Sequence, residues 1–205
     1  MKMNIYGASG HSKVIIDIAK SIDISIDAIF DDDLQLTEVS GYKVVHTLSN
    51  ELLKHGTVLA IGDNWIRKMI AEKFAGKFQN GIFHSSAVLA PTVIIGAGTV
   101  VMANASINSD VIIGNHCIIN TGAIVEHECN LGDFVHISPN AALAGDVIVG
   151  EGSHLGIGAV VIPGVKIGKW VTIGAGAVVL EDIPDFAVVV GNPGKIIKYN
   201  HLENE

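Results

Sequence analysis

Charged residues are scarce in this chain, and an excess of basic residues is absent. Of its 205 residues, 17% are charged and 49% are hydrophobic, whereas average chains carry about 25% charged residues. The formal net charge is −8, which argues against nucleic acid or an anionic membrane surface as a partner. The apolar content is too high for an intrinsically disordered chain. The length suits one or two small domains.

A membrane-spanning run and an export signal are also missing. A long stretch without charge, residues 85–109, is interrupted by proline, glycine and asparagine, whereas a spanning helix needs about 20 predominantly apolar residues. The first seven residues contain one lysine and no long apolar segment, unlike a signal peptide. The two cysteines, Cys117 and Cys129, are therefore expected to be free thiols in a reducing compartment. We expect a cytoplasmic protein that does not enter a membrane.

The density of charge changes along the chain. Residues 89–184 contain 10 charged residues among 96, whereas the slightly longer remainder of the chain contains 24. Such a step indicates a domain boundary near residues 84–88. We predict one domain over residues 1–84 and a second over residues 85–205.

The first domain alternates strand-like and helix-like segments. Residues 2–6, 28–30 and 58–61 are short apolar runs, and apolar residues at helical spacing follow the first and the third. Alternation of this kind predicts a parallel α/β sheet. The segment is too short for a complete dinucleotide-binding fold, so we expect half of one.

Two turns of this half-fold suggest a nucleotide. The turn Gly7-Ala8-Ser9-Gly10 follows the first strand and begins a helix, where backbone N–H groups attract phosphate. Asp31 and Asp32 follow the second strand, where acidic groups hold ribose hydroxyls. The complete G-x-G-x-x-G motif is absent, so a tight turn without a ligand remains an alternative. Arg67 either reaches a phosphate or is a charge on a helix surface.

The second domain is a six-residue repeat. Every sixth residue from Leu89 to Val179 is Ile, Leu or Val, and the residue four positions later is small or β-branched. Glycines such as Gly96 and Gly114 recur at a spacing of three hexads; we predict that they occupy corners whose dihedral angles other residues avoid. The pattern predicts roughly five coils of a triangular prism with inward aliphatic side chains. Cys117 and Cys129 fall on inward positions, which makes them implausible nucleophiles.

One histidine of the repeat stands in a setting suited to acyl transfer. His127 lies between two glutamates, and Gly145 follows three hexads later, directly above it on the next coil. A histidine supplies a base near neutral pH, and an accessible glycine N–H supplies a donor for an oxyanion. The alternative is an exposed turn histidine flanked by solubilising glutamates. His116 is interpreted as a solvated corner residue.

Over nearly its full length the chain resembles the bacterial nucleotide-sugar N-acetyltransferases that acetylate a UDP-4-amino-sugar. These enzymes belong to the hexapeptide-repeat acyltransferases, and enzymes of the sialic acid O-acetyltransferase type are close relatives. The resemblance is carried by five segments: residues 5–11 (IYGASGH), 31–32 (DD), 60–64 (AIGDN), 124–129 (IVEHEC) and 190–193 (VGNP).

The resemblance implies a left-handed parallel β-helix after the α/β half-fold, a homotrimer with active sites between subunits, and acetyl-CoA as co-substrate. It implies that His127 is the general base and that Glu128 raises its basicity. It further implies two sets of binding residues: Ser9, Gly10, His11, Asp31, Asp32, Gly62 and Asn120 for the nucleotide sugar, and His136, Gly145, Ile157 and Ala175 for acetyl-CoA.

The expected function is therefore N-acetylation of a nucleotide-linked, UDP-type 4-amino-sugar for surface glycan synthesis, without a metal. Acetylation of a sugar hydroxyl and a non-catalytic nucleotide-sugar module remain alternatives. A metal-dependent lyase of the γ-carbonic anhydrase type is another, because His136 and His154 stack on successive coils, although the close histidine pair of that class is missing. His154 otherwise reads as a surface residue. Lys166 and Lys169 either meet the CoA phosphates or are solvated.

Overall fold

A computed structural model of the chain describes residues 2–47, 54–74 and 77–200. The last five residues of the predicted second domain, 201–205, lie outside the described residues. The described residues of the N-terminal part include five strands and two helices: β1 Lys2–Tyr6, α1 Gly10–Ser21, β2 Ser25–Phe30, β3 Glu38–Val39, β4 Tyr42–Val45, β5 Gly56–Leu59 and α2 Asn64–Lys73.

The N-terminal strands form one sheet in the order β3-β4-β2-β1-β5. All neighbours are parallel except β3 and β4, which are antiparallel. The chain passes from the interior strand β1 to β2 on one side and later to β5 on the other. The order therefore reverses between β1 and β5, and the carboxyl ends of two such strands are the usual ligand site of an open α/β sheet.

The rest of the chain forms a three-sided parallel β-helix. Its strands are β6 Ile82–Phe83, β7 Val88–Leu89, β8 Ile94–Ile95, β9 Val100–Val101, β10 Ser106–Ile107, β11 Ile112–Ile113, β12 Ile118–Ile119, β13 Ile124–Val125, β14 Asn130–Leu131, β15 His136–Ile137, β16 Ala142–Leu143, β17 Ile148–Val149, β18 His154–Leu155, β19 Val160–Val161, β20 Lys166–Ile167, β21 Thr172–Ile173, β22 Val178–Val179, β23 Ala187–Val190 and β24 Lys195–Tyr199.

These strands make three sheets, which we number as faces in chain order. Face 1 runs from β6 through β9, β12, β15, β18 and β21 to β23, and β24 pairs antiparallel with β23; face 2 runs from β7 to β22, and face 3 from β8 to β20. Edge 1–2, edge 2–3 and edge 3–1 are the corners where the chain passes from one face to the next. β6 pairs with β9 of the β-helix, whereas the predicted domain boundary after residue 84 would assign β6 to the first domain. That boundary stays a prediction.

The strand register repeats every three hexads. Ser106 pairs with Ile124 and Ile118 pairs with His136 on successive coils. The aliphatic residue of each hexad points inward and, with the small residues at the corners, forms one continuous core that includes Cys117 and Cys129. The predicted coil of three short strands is confirmed, since two residues of each hexad pair with the coils above and below.

The predicted role of the glycine ladder is wrong. Positive φ values occur instead at every sixth residue from Gly98 to Gly176, two positions after each ladder position. The ladder glycines are needed for clearance between coils: a Cβ at Gly96 would lie 2.6 Å from the backbone carbon of Gly114, and one at Gly114 would lie 2.7 Å from the backbone nitrogen of Asp133.

The N-terminal part packs on face 1. Outward side chains of this face, Ile82, Val100 and Ile118, join the buried core of the α/β sheet. His116, at edge 3–1, lies at this contact and is only 6% exposed, with its ring between those of Phe78 and Phe134. The prediction that His116 is a solvated corner residue is therefore wrong. Within the described ranges, no helix combines the length and apolar character needed to cross a membrane.

Candidate active site

The residues that follow β1 and β5, together with Asp31 and Asp32 after the neighbouring β2, form an open edge at the switch point of the sheet. We call this edge the rim. Gly7 has φ +106°, and a Cβ there would lie 2.9 Å from the carbonyl oxygen of Ala60, so the turn after β1 requires glycine. Ser9 precedes α1 in an extended conformation, and its side chain makes no capping bond. A Cβ on Gly10 or Gly62 would meet nothing within 4 Å. The rim is thus free to receive a phosphate at the first turn of α1.

The two predicted ribose ligands organise this rim. Asp31 accepts hydrogen bonds from the backbone N–H of Ala8 (2.7 Å) and of Asp33 (2.9 Å). Asp32 accepts one from the hydroxyl of Tyr6 (2.6 Å) and is otherwise exposed. Asp31, which follows β2, therefore fixes the turn after β1 through a hydrogen bond to its carboxylate. A sequence pattern does not reveal this contact.

Three histidines, His11, His136 and His154, lie between the rim and face 1. His136 and His154 stack with ring centroids 4.6 Å apart and an interplanar angle of 4°. Asn120 Nδ2 lies 3.1 Å from His136 Nε2, and Ser138 Oγ lies 2.7 Å from His154 Nε2. The interpretation of His154 as only a surface residue is therefore wrong, because its ring packs on His136 under the N-terminal part.

Burial keeps these imidazoles neutral. It lowers the pKa of His11 to about 4, with a contribution from the charge of Arg67. It lowers the pKa of His136 to about 2, with contributions from His154, Arg67 and His11. Burial, followed by Arg67, also lowers the pKa of His154. The cluster offers hydrogen-bonding nitrogens without positive charge.

Both interpretations of Arg67 are wrong. The side chain is 1% exposed and binds backbone carbonyls at the contact between α2 and edge 3–1. It is not a surface charge, and its Nη1 donates to the backbone carbonyls of the rim residues Ile61 and Gly62, so that with its other bonds no donor is left for a phosphate. The sequence carries no sign of this role, because the carbonyl acceptors come from the backbone.

His127, Glu128 and Gly145 form a second cluster, at edge 2–3. Glu128 has φ +62°, and this left-handed corner brings two consecutive side chains together: His127 Nδ1 lies 3.0 Å from Glu128 Oε2. The side chains of both are more than half exposed. A Cβ on Gly145 would lie 2.5 Å from Cε1 and 2.6 Å from Nε2 of the imidazole. Among the described residues, no acceptor faces the N–H of Gly145.

The other predicted acetyl-CoA contacts lie elsewhere. Ile157, 59% exposed, and Ala175, also exposed, stack on edge 1–2. His136 lies on face 1. Lys166 and Lys169 are exposed near the C-terminal end of the helix. Within one chain, the predicted site residues therefore lie in four separate places: the rim, face 1, edge 1–2 and edge 2–3.

Neither cysteine is suited to nucleophilic chemistry. Burial raises the pKa of the Cys117 thiol to about 12 and also raises that of Cys129, which disfavours thiolate nucleophiles. In the part of the chain that the structure describes, no group of three or more His, Cys, Asp or Glu side chains is arranged to hold a metal ion.

Two family models match different parts of the chain. The PglD N-terminal domain matches residues 2–74, and the bacterial transferase hexapeptide (six repeats) matches residues 86–127 and 146–181. These matches correspond to the α/β part and to the β-helix.

Solved structures match nearly the whole chain. A variant of perosamine N-acetyltransferase from Caulobacter crescentus, solved with CoA and GDP-perosamine, is 40% identical with a TM-score of 0.89 and covers 97% of each chain. The acetyltransferase domain of PglB from Neisseria gonorrhoeae FA1090, in complex with acetyl coenzyme A, is 38% identical with a TM-score of 0.88; the match covers 96% of this chain and 98% of that one.

Curated relatives match over shorter stretches. UDP-N-acetylbacillosamine N-acetyltransferase of Bacillus subtilis (strain 168) is 40% identical over 108 residues, 48% of this chain and 50% of that protein. An uncharacterized mimivirus protein is 32% identical over 106 residues, 21% of its length. This chain therefore spans half or less of the curated relatives that it matches.

The fold is that of the hexapeptide-repeat transferases, a left-handed parallel β-helix preceded by an α/β half-fold, as expected. Within that superfamily the chain belongs to the nucleotide-sugar N-acetyltransferases.

Proposed function

We propose that this protein transfers the acetyl group of acetyl-CoA to the amine of a nucleotide-linked 4-amino-sugar. The observation that carries the proposal is the exposed His127–Glu128 pair beside the free N–H of Gly145. The CoA and GDP-perosamine held by the Caulobacter structure, and the acetyl coenzyme A held by the Neisseria domain, support it.

The pair divides the work of acyl transfer. Glu128 occupies Nδ1 of His127, which leaves Nε2 to accept a proton. As the sugar nitrogen attacks the thioester carbonyl, Nε2 takes a proton from that nitrogen. The N–H of Gly145 donates to the developing oxyanion. The new C–N bond forms, the C–S bond breaks, and CoA leaves as a thiolate that recovers a proton from the imidazolium.

The rim at the switch point is the proposed nucleotide site. Ser9, Gly10, His11 and Gly62 would contact the diphosphate and sugar, with Asp31 and Asp32 on the ribose side. The proposed nucleotide is UDP, in line with the name of the Bacillus relative. The Caulobacter relative was solved with a GDP sugar, so the identity of the base is part of the test.

The geometry of one chain supports a site shared between two copies. The rim covers face 1, whereas His127 lies at edge 2–3, the corner opposite that face. A nucleotide sugar held at the rim of one chain therefore needs His127 from another chain. Ile157 and Ala175, on edge 1–2, would then complete the acetyl-CoA site opposite the partner's corner, and Asn120, on the same edge, would contact the sugar.

The uncovered faces support a closed homotrimer. Val88 (66%), Ile94 (62%) and Ile112 (46%) are exposed on faces 2 and 3, and exposed apolar patches of this kind are typical of subunit contacts. Three copies related by a threefold axis could bury such patches and create three equivalent sites. We propose this assembly and a cytoplasmic location.

Release of CoA thiol tests the activity. Purified protein is incubated with acetyl-CoA and a panel of UDP-, GDP- and TDP-linked amino sugars. We expect turnover with at least one of them and a base-stable amide product; a base-labile ester would indicate hydroxyl acetylation instead.

The same assay tests His127. We expect His127→Ala to lose about 10²- to 10⁴-fold in kcat, the usual contribution of a general base, while acetyl-CoA binding by calorimetry stays measurable. Full activity of His127→Ala would contradict the assignment.

A further inference from the structure

Arg67 is a buried cation that is held by neutral hydrogen-bond acceptors. Its side chain is 1% exposed, and no salt bridge joins it to an acidic group within the described ranges. All five of its N–H groups nevertheless have acceptors. The guanidinium therefore rests on a complete set of directional hydrogen bonds, which specify its position more strictly than apolar packing does.

The acceptors of Arg67 lie on two different parts of the molecule. Nη1 donates to the carbonyl oxygens of Ile61 (2.8 Å) and Gly62 (3.2 Å), which belong to the rim after β5. Nε donates to the carbonyl of His116 (2.8 Å), and Nη2 to that of Phe134 (3.0 Å), both at edge 3–1. One planar group thus joins the rim to two coils of the β-helix.

Asn64 extends the same link to a third coil. Its Oδ1 accepts the remaining bond of Arg67 Nη2 at 2.8 Å. Its Nδ2 donates to the carbonyl of Gly152 at 2.9 Å and lies 3.3 Å from that of Ser153. His116, Phe134 and Gly152 occupy the same corner position on successive coils, and each has positive φ. Helix α2 therefore contacts the equivalent corner carbonyl of three consecutive coils.

We propose that Arg67 and Asn64 are positioning residues that fix the nucleotide-binding rim relative to the β-helix and thereby control turnover without touching either substrate. The proposal rests on the proposed function. Of the residues proposed to hold the nucleotide, Gly62 accepts a hydrogen bond from Arg67, through its backbone carbonyl at 3.2 Å, whereas the first turn of α1 and the acids after β2 do not contact Arg67 in the hydrogen bonds described above. Loss of the link should therefore displace the bound sugar from the catalytic histidine but leave nucleotide affinity intact.

The test compares Arg67→Met, Arg67→Lys and Asn64→Ala with Lys68→Met as the matched control. Lys68 is on the same helix and contacts the same edge through Glu151 at 2.6 Å, but it is partly exposed. Three quantities are measured: kcat per acetyl-CoA-binding site, the Kd for the UDP or GDP of the sugar that is turned over, and the KM for acetyl-CoA.

For Arg67→Met we expect kcat to fall about 10²-fold, the cost of a misplacement of about 1 Å, with nucleotide Kd and acetyl-CoA KM within about threefold of wild type. Arg67→Lys, which keeps the charge but not the planar donors, should recover only part of kcat. Lys68→Met should retain kcat. Nucleotide affinity that falls as far as kcat would overturn the proposal, because Arg67 would then act on substrate binding. Unchanged kcat per site would also overturn it, because Arg67 would then contribute only to packing.

Two further measurements distinguish a loss of positioning from a failure to fold and from a failure of the proposed function. If Arg67→Met does not fold, Asn64→Ala, which retains the guanidinium, carries the same comparison. If wild-type protein turns over no amino-sugar nucleotide, the proposed function fails, and hydrogen exchange decides about positioning. We then expect faster exchange across residues 61–66 in Arg67→Met than in Lys68→Met; equal exchange would overturn the link.

Discussion

At the scale of single residues, the corner at Glu128 explains how two neighbours in sequence act as a pair. Successive side chains of an extended strand point to opposite faces, and His127 and Glu128 would then be separated. The left-handed conformation of Glu128 turns its carboxylate back to Nδ1 of the imidazole. The same positive φ recurs at every sixth position, so the catalytic geometry proposed here uses a conformation that the repeat supplies at every corner.

Gly145 tests this geometry at a single atom. In Gly145→Ala the added Cβ would lie 2.5 Å from Cε1 of His127, and the exposed ring must move away. We expect kcat to fall by about 10²-fold, with the free energy of unfolding within about 1 kcal/mol of wild type, because an exposed ring can yield.

Gly132→Ala is the matched control for that substitution. Its Cβ would meet the backbone nitrogen of Glu151 at 2.8 Å, which cannot yield, so we expect a loss of about 1–3 kcal/mol in stability. Urea unfolding together with the CoA-release assay separates the two variants. A Gly145→Ala protein with wild-type kcat would argue against a role of this edge in catalysis.

At the scale of elements, the contact between the N-terminal part and face 1 should make stability depend on pH. Burial, with a contribution from Arg67, lowers the pKa values of His11 and His116 to about 4, below the usual value of about 6.5. Between these two pKa values the unfolded chain therefore binds more protons than the folded chain. The free energy of unfolding consequently falls as the pH drops from 6.5 towards 4, and the full contribution of the neutral histidines is present above pH 6.5.

Urea midpoints at pH 7, 6 and 5 measure this loss. His116→Gln, which removes one of the titrating rings, should flatten the dependence by up to one proton. An unchanged slope in His116→Gln would show that this ring does not contribute. The window above pH 5 is chosen because most carboxylates titrate below it.

Regular elements were predictable from the sequence to the extent that they repeat. The inward aliphatics from Leu89 to Val179 recur without a break, so both the coil and the position of Gly145 above His127 follow from counting. The hairpin of β3 and β4 was missed because strands of two and four residues are too short to show a period. The role of Arg67 was not predictable, since four of its five acceptors are backbone carbonyls.

At the scale of the whole molecule, the low charge that distinguishes the sequence has a structural counterpart. Face 1 is covered by the N-terminal part, whereas outward isoleucines and valines remain exposed on faces 2 and 3, with Ile124 at 40% and Ile148 at 40%. An isolated chain would leave these apolar side chains in water. Association through them would bury apolar area, and in the proposed assembly it would bring the edge that bears His127 towards the rim of another copy.

Subunit complementation tests whether catalytic and substrate-binding residues come from different chains. His127→Ala removes the base, and Asp32→Ala removes an exposed acid of the rim; each homo-oligomer should be nearly inactive. If the site is shared, a trimer that contains both variants has sites with an intact histidine from one chain and an intact rim from its neighbour. Random assembly of equal amounts gives about one quarter of the wild-type sites.

The complementing mixture is co-expressed or refolded together, so that both variants can enter one assembly. We expect CoA release to approach about one quarter of the wild-type rate only in the co-assembled sample, and mixing of the two finished proteins serves as the control. If both residues acted within one chain, no assembly of these variants could contain an intact site. Activity no higher than that of the single variants would then place His127 and the rim in one subunit, against the geometry of edge 2–3.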